Sequence, residues 1–238
     1  MRQPFKIFRL EQASVCKIIE RVNRFVVRVE IKGNPYNAHI NNTGRLHQFL
    51  VKGRKGFCLE NMRPGKTDCR LFAVEERGLA ALIDTQFQMR AFERVLEMNQ
   101  IPWLQGCRLV RRNVRWRTSL LDYLLACCGQ DVFLEVKSAV LREGDSAMYP
   151  DCPSTRGQKH IQELSEHVKR GGRGVILFMA ALPDVKAFRP NKAADPKLFE
   201  LLKEAQQGGV EIRAFGLYFN PEDLFVYSFN PDLKINLA

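Results

Sequence analysis

The stretch SLLDYLLACCGQDVFLEVKS, residues 119–138, reads as two apolar strands around a tight turn. Each strand carries an acid where burial disfavours one: Asp122 on the first, Glu135 on the second, with Lys137 two places on. Strand side chains alternate in direction with period two, so Phe133, Glu135 and Lys137 point one way. Val132, Leu134 and Val136 point the other way, into apolar surroundings. Folding the hairpin about Cys128–Gly129 sets Asp122 opposite Glu135 and Leu120 opposite Lys137. Opposed Cβ atoms lie roughly 4.5–5.5 Å apart.

Two carboxylates that close repel, and an apolar sheet raises the cost. A divalent cation offsets it. Mg2+ or Mn2+ is expected at Asp122 and Glu135, since Mg2+ takes one or two carboxylates and keeps several waters. Lys137, next along that face, suits charge building up on a phosphate. Asp122, Glu135 and Lys137 are therefore the candidate catalytic residues. The bland alternatives are a solvent-facing strand with an ordinary Glu–Lys pair, or a slipped register.

The surroundings of the hairpin are basic. The chain has 238 residues and a net charge of +11, and residues 1–83 hold sixteen of its 37 Lys and Arg against seven of its 26 Asp and Glu. Such an excess points to a polyanion: DNA first, RNA as the rival, an anionic membrane surface behind both. In RRNVRWR, Arg111, Asn113, Arg115 and Arg117 share one strand face just before the acids and suit a phosphate backbone. STRGQKHIQELSEHVKRG starts like a helix, with Thr155 as N-cap and Gln158 as its capping-box partner. Arg156 and Lys159 near its start could receive a phosphate, and His160, on the polar face, is a candidate proton carrier or phosphate contact. Asp151 is read either as an outer ligand or as a turn former. Earlier in the chain, Asn42, Thr43, Gly44 and Arg45 form a candidate backbone-binding loop or simply a tight turn, with Arg24 adding charge. Phe5, Phe8, Phe25 and Tyr36 include candidate stacking residues, though core positions explain them too.

Strands dominate the first third. RFVVRVEI places Phe25, Val27, Val29 and Ile31 on one face, and several short strands follow between Gly and Pro breaks. A small β-barrel is expected over residues 1–83, one of the oligonucleotide-binding (OB) kind among the options. From 84 to 238, helical stretches near 85–100, 156–170 and 195–207 alternate with strands, which predicts an α/β domain with a mixed sheet. The class is thus α+β, with the barrel first. Seven cysteines without a CxxC pair predict reduced thiols rather than a zinc ribbon or disulfide framework. MRQPFKIFRL lacks an apolar signal core and no run nears a membrane span, so a cytoplasmic protein is expected. An exposed sheet edge would allow a homodimer.

SLLDYLL, LEVKSAVL, YPDCPSTRGQKHIQEL and LLKEAQQGGVEIRAF, together with RVNRFVVRVEI and HINNTGRL, resemble the sugar fermentation stimulation protein family over nearly the whole chain. The resemblance implies an OB-like barrel followed by a restriction-endonuclease-like domain, in which an Asp and an E-x-K carry metal and catalysis. The matching positions are Asp122, Glu135 and Lys137. It further implies DNA binding and a role in regulating sugar metabolism, with nuclease activity suggested by fold and motif. Two positions depart from the family pattern. Leu120 stands where Arg precedes the motif Asp, and Arg111 stands where some relatives carry Glu. Three readings follow: a DNA-binding protein, sequence-nonspecific, with a nuclease-like Mg2+ centre; an active metal-dependent DNA nuclease; and an RNA-binding module.

Overall fold

The structure, a computed structural model, describes residues 3–61 and 65–237. The Gly/Pro break expected in MRPG therefore lies partly outside the described residues. β1 (Phe5–Arg9) leads into five strands, β2 (Ser14–Arg21), β3 (Val26–Ile31), β4 (Asn34–His39), β5 (Lys55–Glu60) and β6 (Cys69–Glu76). Neighbours run β4-β3-β2-β5-β6, and a short parallel pairing of β4 with β6 closes the ring through Ala38–Cys69 and His39–Arg70. This is an OB barrel, closed so that no long edge is left open. The alternation in β3 buries Val27 and Val29 inside it. Phe25 departs from that face. It precedes β3 and is 47% exposed, because Asn23 turns the chain by accepting N–H bonds from Phe25 and Val26. Phe8 is buried and Tyr36, opposite Val29 on β4, is 37% exposed.

β7 (Leu79–Leu82) hairpins off β6 and carries the chain into α1 (Thr85–Glu97), capped by the Asp84 carboxylate. Then come β8 (Cys107–Trp116), β9 (Ser119–Cys127), β10 (Gln130–Ser138), β11 (Leu141–Glu143), β12 (Ser146–Tyr149) and α2 (Thr155–Lys169). β13 (Arg173–Ala180), β14 (Ala187–Pro190), α3 (Pro196–Gln207), β15 (Glu211–Asn220), β16 (Phe225–Asn230) and β17 (Lys234–Ile235) complete the chain. β8, β9 and β10 form an antiparallel meander; β10, β13 and β15 run parallel. Helix, three antiparallel strands, helix and a parallel strand make the mixed-sheet core expected of the second unit. β11, β12, β14 and β17 form a small separate sheet.

The two units share one sheet. β7 meets β15 at Ala80–Phe219, and β1 pairs with β16 rather than with the barrel. Phe219 sits edge-on to Phe57 and Phe72, at centroid distances of 5.5 and 5.0 Å. Gln48 brackets the backbone of Arg142 with two hydrogen bonds, and the Arg142 guanidinium reaches Glu76 at 2.8 Å. An apolar seam with such polar clamps fixes barrel against sheet.

Three expectations are corrected here. The α2 N-cap is Ser154, whose hydroxyl accepts from the Gly157 N–H, not Thr155; Gln158 instead donates to Asp195. Cys107 and Cys127, directly opposed on β8 and β9, form a disulfide, so reduced thiols are not the rule throughout. A cross-strand pair of this kind has no local spacing for a sequence reading to find. Arg117 lies beyond the β8 strand face, in the turn to β9 at φ +51°, and pairs with Glu166. Among the described residues no helix is long and apolar enough to cross a membrane.

Candidate metal and nucleic-acid site

The β9–β10 hairpin turns at Cys128–Gly129, both at positive φ, as a two-residue turn of this hand requires. Its ladder runs from Cys127–Gln130 to Tyr123–Leu134. That register sets Asp122 across from Glu135, but the regular pairing ends one step short of them. There the side chains take over from the backbone. The Val136 N–H donates to Asp122 Oδ2 at 2.7 Å, and the Asp122 N–H donates to Glu135 Oε2 at 3.3 Å. Beyond this point β10 stays with β13 as far as Ser138–Met179 while β9 moves off. Leu120 is consequently not opposite Lys137; it pairs with Arg115 on β8. The strands part where the two carboxylates stand, and a cleft opens between them.

The two faces of this sheet carry different helices. Tyr123 points to α1, packing on Phe92 and donating its hydroxyl to Glu93. Glu135 points the other way, to α2. It is 3% exposed and is held by Lys137 Nζ at 2.5 Å and by Nδ1 of His160. His160 is itself only 4% exposed, so it stands behind Glu135 rather than on a solvated polar face. Its other ring nitrogen lies 3.5 Å from Arg156 Nε, which donates to it. This arrangement makes Nδ1 the protonated nitrogen toward Glu135.

Charge in the cleft follows from these contacts. Burial pushes the Asp122 carboxyl up, and the neighbouring Glu135 carboxylate pushes it further, to about 7. Burial also opposes the Glu135 charge, yet Lys137 and His160 hold that carboxyl below its ordinary range. Lys137 is pulled down by burial but ends above its ordinary range because Glu135 faces it. Glu135 is thus held ionised, while burial and the Glu135 charge together make Asp122 the harder of the two acids to ionise. Such a donor pair fits a hard divalent cation, which would relieve the repulsion and leave coordination positions for water. Among the described residues no group of three or more His, Cys, Asp or Glu is arranged to hold a metal ion, and the two carboxylates are the side chains that could do so here.

The cleft encloses about 360 Å3, and the barrel forms its opposite wall. Arg24, Asn42, Thr43 and Gly44 line it from the barrel; Asp122, Glu135 and Lys137 from the sheet; Arg156 from the start of α2. Asn42 is buried and works as a bolt. Its amide donates to Ile83 O at 3.0 Å and to Ser138 Oγ at 3.2 Å, while its carbonyl oxygen accepts the Gly44 N–H. Gly44 has no room for a side chain: a Cβ there would stand 2.7 Å from Asp151 Oδ2. Asp151 accepts the Leu46 N–H at 2.8 Å and so anchors the same loop. Arg45 is exposed beside this wall, and its carbonyl is held by Arg21. Arg111 and Arg115 are exposed on β8, opposite Leu124 and Leu120, on the face that carries Asp122. They and Arg117 lie outside the cleft lining, as does the exposed Lys159. Asn41, Ser138 and Tyr149 also line the cleft, and no sequence pattern marks them. Asn41 adjoins the Asn42–Arg45 loop and Tyr149 opens the YPDCPST block, but neither carries a charge pattern.

The sugar fermentation stimulation protein RE domain model matches residues 86–223, and the SfsA N-terminal OB domain model matches residues 19–83. A sugar fermentation stimulation protein homolog of Pyrococcus furiosus is 48% identical over 222 residues, which is 93% of this chain and 96% of that protein. The homolog of Archaeoglobus fulgidus is 47% identical over 231 residues, 97% of this chain and 99% of that protein. The solved structure of Pyrococcus furiosus SfsA in complex with Ca2+ superposes with a TM-score of 0.94 at 45% identity, covering 98% of this chain and 99% of that one. The two units, their order and their full-length match assign this chain to the sugar fermentation stimulation protein (SfsA) family.

Proposed function

We propose that this protein binds DNA across the barrel–sheet cleft and hydrolyses phosphodiester bonds there with Mg2+ or Mn2+. One observation carries the reading: the Asp122 and Glu135 carboxylates stand where β9 and β10 part, with Lys137 beside them. Asp122 and Glu135 would hold the metal, which supplies Lewis-acid polarisation of a phosphoryl oxygen and a water of lowered pKa. Lys137 presents its ammonium to charge building on the phosphate. His160 fixes the Glu135 carboxylate in one orientation and leaves Asp122 alone. Arg24, Thr43 and Arg156 take the phosphates nearest the cleft, and Arg45, Arg111, Arg115, Arg117 and Lys159 extend the basic track. The Ca2+ complex of the Pyrococcus furiosus relative supports a divalent cation as ligand.

A second reading, binding without hydrolysis, is favoured by a specific feature. Glu135 is already engaged by Lys137 and His160, and Leu120 and Arg111 stand where the family resemblance expects a cation and an acid. Such a protein would act by occupying DNA, as a regulator does. The separating experiment incubates purified protein with labelled single-stranded DNA, duplex DNA and RNA, in MgCl2, MnCl2 or chelator. Under the first reading, metal-dependent cleavage of DNA is lost in Glu135→Ala while binding persists. Binding to DNA without cleavage in either metal leaves the second reading. A clear preference for RNA at one salt concentration makes it an RNA-binding module, and salt-independent failure to bind any of the three removes the polyanion reading altogether.

A further inference from the structure

Beside the cleft the barrel displays an aromatic ring that its own core does not use. Phe25 is 47% exposed, as is its neighbour Val22 at 48%, whereas Val27 and Val29 of the following strand are fully buried. The exposure is not that of a loose loop. The Phe25 N–H donates to Asn23 Oδ1 at 2.8 Å, and the Phe25 carbonyl accepts the Ile40 N–H at 2.9 Å. Arg21 adds a four-way clamp, its guanidinium donating to the carbonyls of Asn23, Arg24, Gly44 and Arg45. The turn that carries Arg24 and Phe25 is thereby tied to the loop that forms the cleft wall. Arg24 lines the cleft, and its guanidinium carbon lies 5.8 Å from the Phe25 ring centroid.

A fixed, half-exposed ring next to a guanidinium at the mouth of an acid-bearing cleft has a definite chemical match. Away from duplex ends, nucleobases expose a flat π-face only when they are unstacked, as in a single strand, and they stack on aromatic side chains with little regard to sequence. Inside a duplex that face is covered by neighbouring bases. The cleft volume of about 360 Å3 lies at the small end of ligand-sized cavities. The strong positive excess of residues 1–83 supplies the complementary charge for the phosphate that follows the stacked base.

We infer that the Arg24–Phe25 turn is a stacking platform that admits an unpaired DNA strand to the Asp122–Glu135 cleft, making single-stranded DNA the preferred substrate class. The inference rests on the reading of that cleft as a DNA site. Phe25 holds the base outside the cleft, Arg24 holds the adjacent phosphate, and the next phosphodiester faces the carboxylates.

The test is fluorescence anisotropy in chelator, where nothing is cleaved, with labelled oligothymidylate and a blunt duplex of equal length. Wild type binds the single strand more tightly. Phe25→Ala weakens the single strand by about 5- to 100-fold and the duplex by less than about twofold, and Phe25→Trp stays within about threefold of wild type on both. Equal losses on both substrates, no loss on the single strand, or a Trp variant as weak as the Ala variant would overturn the inference. The two levels fail differently. If wild type binds neither DNA, the DNA reading of the cleft falls and takes this inference with it. If it binds duplex as tightly as single strand and Phe25→Ala is silent, that reading survives and only the platform is lost.

Discussion

Replacing Asp122 with Asn is expected to stabilise the metal-free protein while removing its affinity for divalent cations. The Asp122 carboxyl sits at about 7 in the folded chain, against 3.8 for an ordinary Asp, because burial and Glu135 oppose its charge. The sign follows from proton linkage: the folded state holds a proton that the unfolded chain releases, so stability falls as pH rises from about 4 to about 7 and is level above. Each pH step of one costs about 1.4 kcal/mol in that window. Asn keeps the shape and can still accept the Val136 N–H, yet carries no charge. Its advantage over wild type should therefore grow by about 2–3 kcal/mol between pH 5 and pH 8.5. Urea unfolding in chelator at both pH values, with linear extrapolation, measures this directly. Adding MgCl2 should then raise wild-type stability with ligand concentration and leave the variant unmoved. The reasoning is refuted if Asp122→Asn is the weaker protein at pH 8.5 in chelator, or if its advantage is the same at both pH values.

Five further outcomes are expected. Glu163 accepts from the Thr118 hydroxyl and the Ser119 N–H, which hold its carboxyl below the ordinary range although burial opposes the charge. Glu163→Gln should cost about 1–3 kcal/mol at pH 7, and because this shift is downward the gap should close as acid protonates the wild-type carboxylate, which urea unfolding near pH 3 will register. Phe72→Ala, at the seam between barrel and sheet, should cost about 3–5 kcal/mol in urea unfolding. Thiol titration of the denatured, unreduced protein should find five free cysteines and rise to seven after reduction, and replacing the Cys107–Cys127 pair with Ser should cost about 2–4 kcal/mol in the same unfolding assay. Gly44→Ala should lower affinity for DNA without Mg2+ by displacing the Asp151-anchored loop, measured by anisotropy; unchanged affinity would mean that this loop does not touch the ligand.

What could be seen in the chain beforehand depended on how local the determining interaction was. The hairpin register was legible because Cys128–Gly129 fixes a two-residue turn, and period-two alternation does the rest. The exit of β9 from that ladder was not legible, because it lies where the Asp122 and Glu135 side chains take the N–H groups of Val136 and Asp122, while β10 continues with β13 on its other edge. Phe25 was grouped with Val27 and Val29 by periodicity alone, whereas the Asn23 side chain starts the strand one residue later. His160 looked solvent-facing because a helical wheel counts polarity and cannot count a buried Glu135 on a distant strand. β11, β12 and β14, of three or four residues each, are too short to leave a periodic trace. The cleft's barrel wall was half visible: Asn42 and Gly44 were flagged, but their bonds to Ser138 and their crowding against Asp151 span about a hundred positions.

The pairing of β1 with β16 has a consequence for how the molecule is made. Residues 5–9 are made long before residues 225–230 and must wait for them before their backbone groups are satisfied. The barrel strands, by contrast, are all present by residue 76 and can close early. Throughout synthesis the nascent chain therefore trails an unpaired β segment, a template for contact with other chains. Lys6 and Arg9 place charges within that segment, as gatekeeper residues do beside exposed strands. Joining β1 to β16 late also makes β1 a lock: removing residues 5–9 would leave the edge of the sheet bare at β16 while sparing the barrel strands.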